Sequence, residues 1–201
     1  MSLQRLKIGF LASGAGSSAR AIVAAFEAGE LPGEARLMVS NNKSAPALAF
    51  ADEHGVPALC IPTQADPEGA DARIAAAMAE YGVELIVMSG YLRRIGPATL
   101  ARYAGRILNI HPGPLPAFGG EGMYGRRVHE AVLAAGAAES GVVIHLVDEE
   151  YDHGAPVAER AVPIAPGDTA ETLEARVRAV EPEFFVATLQ RLARGEIRLP
   201  S

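Results

Sequence analysis

The chain of 201 residues holds a single cysteine, Cys60, and no tryptophan, and aromatic residues make up only 5% of it. A lone cysteine excludes an intrachain disulfide and a cysteine-based metal site. Its setting, "VPALCIP", reads as a buried strand, so Cys60 is expected to be a packed core thiol. The five histidines fall at no metal-ligand spacing with a nearby carboxylate, and no metal is expected. Apolar runs stay well short of the ~18 residues that a membrane span needs. The opening "MSLQRLK" has no apolar leader, which points to the cytoplasm. Positive charge is in deficit: 18 Lys and Arg stand against 24 Asp and Glu, a net charge of −6. That balance argues against nucleic acid or an anionic membrane as a partner. No internal repeat, low-complexity tract or linker interrupts the chain, so residues 1–201 are expected to form one domain.

What is present is alternation. Short apolar runs at 6–12, 35–40, 57–61, 85–90 and 106–110 read as buried strands. Between them, 17–29, 44–54, 68–81 and 97–104 have helical composition. Strand–helix alternation predicts an α/β fold, a mostly parallel twisted sheet flanked by helices, with ligands beyond the carboxyl ends of the strands. After residue 125 the pattern changes. A helix over 125–137 precedes two strands, 141–149 and 155–165, joined by a turn around "YDHG" and expected to add antiparallel strands at the sheet edge. A long helical stretch follows over 169–196, and Pro182 is expected to kink or break it after Val180 or Glu181.

The first strand runs into "SGAGSSA", where Gly14, Gly16 and Ala19 have G-x-G-x-x-A spacing. Small residues let a backbone approach an oxyanion, and Ser17 and Ser18 open the next helix, whose free N–H groups and dipole favour an anion. The same spacing suits a dinucleotide, but that reading needs a carboxylate closing the second strand. Here that strand ends "MVSNNKS" without one; Ser40, Asn41 and Lys43 leave a 2′-phosphorylated cofactor open. A tight turn with no ligand uses the same residues.

Further on, "RILNIHPGPLP" ends a strand in Asn109, Ile110 and His111. Residues two apart on a strand share a face, so Asn109 and His111 point together. An amide that donates to an oxyanion, beside an imidazole that shuttles a proton, suits acyl transfer. A polar strand end capping its own turn would look alike. Asp152 sits in a turn before Gly154; near His111 it would orient the ring and favour its charged form.

These segments, with "MSGYLRRI", "GGEGMYGRRVHEAVL" and "EEYDHGAPV", occur in an order that resembles the phosphoribosylglycinamide formyltransferase family of folate-dependent formyltransferases, over about residues 6–196. The resemblance implies transfer of a formyl group from 10-formyltetrahydrofolate to the amine of glycinamide ribonucleotide (GAR), by a monomer or homodimer acting on small molecules without a metal. By position it implies three catalytic residues. Asn109 would stabilise the oxyanion, His111 would protonate the departing folate nitrogen, and Asp152 would orient His111. Gly14, Gly16, Ser17 and Ser18 would hold the GAR phosphate, with Gly90, Arg178 and Glu181 along the rest of that substrate. Leu92, Arg93, Arg94 and Ile95, with the loop Val147, Asp148, Glu149, Glu150, Tyr151 and Asp152, would receive the folate. A related formyltransferase or formyltetrahydrofolate hydrolase with another acceptor is the alternative. An NADP-binding oxidoreductase is more distant, since no Tyr-x-x-x-Lys helix is present and it leaves Asn109 and His111 idle.

The chain departs from the family pattern at four places. Ser18 stands where the loop commonly has Asn. Gly113–Pro114 replaces Ser-Leu in "HPSLLP". Val143 replaces a small hydroxyl residue two before His145. A basic residue near Pro67 is missing. His145 is expected in the core or near the site, His129 in helix packing, His54 on the surface, and His153 beside Asp152.

Overall fold

The structure, a computed structural model, describes residues 3–200. In chain order the elements are β1 (Leu6–Leu11), α1 (Ser17–Glu27), β2 (Gly33–Ser40), α2 (Pro46–Glu53), β3 (Ala58–Cys60) and α3 (Pro67–Glu80), then β4 (Leu85–Met88), α4 (Pro97–Arg102), β5 (Ile107–His111), α5 (Arg126–Ala134), β6 (Glu139–Leu146), β7 (Pro156–Pro163) and α6 (Ala170–Ala193). One seven-stranded sheet has the order β3-β2-β1-β4-β5-β6-β7. The first five strands are parallel; β6 pairs antiparallel with β5, and β7 antiparallel with β6. This is the expected α/β architecture.

The strands are apolar throughout because both faces are covered. Ile8, Phe10, Met38, Val87 and Leu108 join one core layer with α1, α5 and α6. Leu11, Leu37, Val39, Ile86 and Ile107 join the other with α3 and Tyr103 after α4. Asn109 and His111 continue the Ile107 side of β5, since they follow it at two-residue steps. No helix among the described residues is long and apolar enough to cross a membrane.

Two expectations are corrected. Cys60 is exposed, because it ends a short strand at the sheet edge, where one flank has no neighbour. Helix α6 runs unbroken through Pro182. An interior proline costs about 3 kcal/mol. Leu173 and Val177 before it, and Phe184, Phe185, Leu189 and Leu192 after it, are all buried. At ~1.5–3 kcal/mol for each such side chain, burial on both sides of the proline outweighs that cost.

Candidate active site

The chain turns one way from β1, through α1 to β2, and the other way from β4, through α4 to β5, so β1 and β4 flank the switch point of the sheet. The glycine loop follows β1. Gly16 is the N-cap of α1 with φ +65°, a left-handed conformation that favours glycine. It offers no side-chain cap, and the N–H groups of Ser17 and Ser18 have no partner among the described residues. The third N–H of the turn, from Ala19, donates to Ser89 Oγ at 3.1 Å. The loop thus presents backbone donors at a helix end, the arrangement that holds an anion. Ser17 is exposed and Ser18 buried. Gly90, just past β4, has φ +69° and its carbonyl accepts from Ser13 N–H.

At the end of β5, antiparallel pairing sets Asn109 opposite His145 and His111 opposite Val143. Directly paired residues share a face, so the register brings a second imidazole to Asn109. Asn109 Nδ2 lies 3.2 Å from His145 Nε2, while the His145 Nδ1–H donates to the Leu146 carbonyl at 2.8 Å. Asp152 closes the group: its Oδ2 lies 3.3 Å from His111 Nδ1 and its Oδ1 3.4 Å from His145 Nε2. The Gly120 N–H donates to Oδ2 at 3.1 Å, and the His111 Nε2–H donates to the Phe118 carbonyl at 2.6 Å. Both ring nitrogens of the buried His111 therefore face oxygen acceptors. Burial alone would raise the Asp152 carboxyl, but hydrogen bonds from His111 and His145, the His111 charge and the Gly120 N–H hold it well below the usual carboxylate range.

The backbone explains how residue 152 reaches across. Asp152 has φ +54°, and among non-glycine residues Asp and Asn tolerate that region best. A Cβ at Gly154 would stand 1.8 Å from the Leu146 carbonyl oxygen, so the D-x-G spacing is a packing requirement. His153 points away and pairs with Asp148 at 2.9 Å.

Arg93, Arg94 and Ile95 line one small pocket together with Asn109, His145 and Val147 to Asp152. The expected folate segments thus meet beside the Asn109 amide. Arg94 donates to the Glu149 carbonyl, tying the two segments, and the buried Arg93 Nε has no partner among the described residues. Leu92 is exposed outside that pocket. Arg178, on α6, is exposed and 3.5 Å from Glu174. Burial pushes the half-buried Glu181 up to about 7, against the pull of Arg178 and with a further push from Glu174. His129 is buried on α5, and that burial pushes its ring below the usual imidazole range. Among the described residues, no group of three or more His, Cys, Asp and Glu side chains could hold a metal ion.

Residues 6–189 match the model of the formyl transferase family. The chain belongs to that family. Among its relatives, phosphoribosylglycinamide formyltransferase of Haemophilus influenzae is 33% identical, over 96% of this chain and 90% of that one. The chloroplastic phosphoribosylglycinamide formyltransferase of Vigna unguiculata is 37% identical over 98% of this chain, which spans only 64% of that longer protein. The crystal structure of glycinamide ribonucleotide transformylase 1 from Symbiobacterium toebii matches with TM-score 0.87 and 30% identity, over 98% of this chain and 95% of that one.

As a formyl transferase, the chain gives physical reasons for some of its departures. A Cβ at Gly113 would lie 2.5 Å from Val128 Cγ1, so helix α5 packs too close for the serine of the usual segment. Pro67 is in the first turn of α3, capped by Asp66, whose side chain accepts from Gly69 N–H. Val143 is the cross-strand partner of His111, so no hydroxyl reaches His111 from that position. Sequence reasoning passed over two partners of the site, the Phe118 carbonyl and Ser89. It left His145 undecided, although the even spacing from Val143 on β6 was a usable signal.

Proposed function

We propose that this formyl transferase moves the formyl group of 10-formyltetrahydrofolate to the amine of GAR, and that residues 1–201 make up one catalytic domain. The observation that carries the reading is the Asp152 carboxylate set against both His111 and His145, with the Asn109 amide alongside. In this reading the GAR phosphate sits on the Ser17 and Ser18 N–H groups, with Gly14, Gly16, Gly90, Arg178 and Glu181 along the same substrate. Arg93 to Ile95 and Val147 to Asp152 receive the folate, and Leu92 flanks them.

Attack of the amine on the formyl carbon puts negative charge on the formyl oxygen, and Asn109 Nδ2–H is the donor for it. His111 gives the proton that the departing folate nitrogen needs and takes back the one the attacking amine sheds, and Asp152 holds the ring and its positive charge. His111 now spends its Nε2 proton on the Phe118 carbonyl, so that bond must exchange for one to the leaving nitrogen. Amine attack on a formyl group requires positioning, an oxyanion partner and a proton route. We also propose a cytoplasmic location; the Vigna relative is named chloroplastic.

The test is purified protein with 10-formyltetrahydrofolate, with and without GAR, followed by folate release. Release that depends on GAR is expected. Release without GAR makes the protein a hydrolase instead.

A further inference from the structure

Ser13 has no part in the chemistry above, yet it joins three loops. Its N–H donates to the Gly90 carbonyl at 3.1 Å, and its Oγ accepts from Leu92 N–H at 2.8 Å. These two bonds span Tyr91 and lock the start of the glycine loop against the segment that follows β4. The same Oγ donates to Asn41 Oδ1 at 2.6 Å, reaching the loop after β2. A hydroxyl has one proton and two lone pairs, so Ser13 serves as donor and acceptor at once. Ser89, next to Gly90, adds a second tie through its bond from Ala19 N–H in the first turn of α1. The three loops leave β1, β2 and β4, neighbouring strands at the switch point.

We propose that Ser13 is a positioning residue that sets the separation between the phosphate-holding loop and the donor-binding segment beginning at Leu92, so that amine and formyl group meet at a fixed spacing. The proposal rests on the functional reading above. It also makes a claim about the backbone that stands without that reading. Ser13→Ala would remove the partner of Leu92 N–H and the donor to Asn41 Oδ1, while the backbone bond from Ser13 N–H to Gly90 stays.

The experiment compares Ser13→Ala, Ser13→Thr and Asn41→Ala with wild type. Steady-state kinetics are read with each substrate varied, and amide hydrogen exchange is followed across residues 88–96 of the unliganded protein. Loss of two neutral hydrogen bonds predicts a rise of roughly tenfold in KM for both GAR and the formyl donor in Ser13→Ala. Leu92 exchange should be faster, and Ser13→Thr should restore both. Asn41→Ala should move both KM values the same way by less, and it decides the matter if Ser13→Ala does not fold. KM values within twofold of wild type for both substrates would overturn the proposal, as would a loss confined to kcat. If wild type shows no GAR-dependent turnover, the functional reading fails on its own. Leu92 exchange then decides: an unchanged rate in Ser13→Ala overturns the tie, and a faster one supports it.

Discussion

At the β5–β6 corner, side chains face side chains: Asp152 meets His111 and His145, and Asn109 meets His145, with each distance set by strand register and a strained turn. At the β1 corner, the groups left open belong to the backbone: the N–H groups of Ser17 and Ser18 beyond Gly16, which have no partner among the described residues. The first corner depends on which atoms the side chains carry. The second depends on which φ and ψ the chain adopts, and it tolerates different side chains. In the proposed reading, a change of side chain at Ser18 should therefore matter less than one at Asn109, His111 or Asp152.

That contrast is most open to attack at the first corner. Asn109→Ala and His111→Ala should each lower kcat by roughly a hundredfold or more, the typical cost of losing one oxyanion or proton partner. Circular dichroism should report an intact fold, since both residues lie at the end of β5. Near-wild-type turnover in either variant would remove its assigned role.

At the second corner the larger effect should come from changing conformation. Gly16→Ala forces a Cβ into φ +65° and within 3.2 Å of Ala47 Cβ. With about 1–2 kcal/mol of strain, KM for GAR should rise by roughly tenfold and kcat should hold. Ser17→Ala, which leaves the N–H in place, should stay within about threefold. A larger defect in Ser17→Ala than in Gly16→Ala would reverse the comparison.

The smallest effect concerns pH, where two carboxyl groups shift in opposite directions. Asp152 is held below its ordinary 3.8, so its contribution to stability is present above that value and is lost as pH falls. Glu181 is raised from 4.5 to about 7, so the folded chain keeps a proton that the unfolded chain has released. Stability therefore falls as pH rises from 4.5 toward about 7 on account of Glu181. Glu181→Gln should remove that decline, a difference of several degrees in Tm across the window. A wild-type and variant pair with parallel pH profiles would show that Glu181 keeps an ordinary carboxyl.

Much of this was legible along the chain. Alternating apolar runs marked the sheet because strands buried on both faces must be apolar, and the α/β order followed. Two-residue periodicity placed Asn109 and His111 on one face without any knowledge of neighbours. Element ends were less legible: the strand expected over 141–149 stops at Leu146, where the chain leaves the sheet for the loop that carries Asp152.

Local chemistry by itself determined the strands and helices, the anion-ready turn and the shared face of the Asn–His pair, because each depends on residues within a few positions of one another. Tertiary structure decided the rest. It exposed Cys60 at a sheet edge, carried α6 through Pro182 on its buried stripe, and closed up residue 113 against Val128. It brought Asp152 to His111 and set His145 beside Asn109, since strand order and register are choices among partners that the chain reaches only once it has folded.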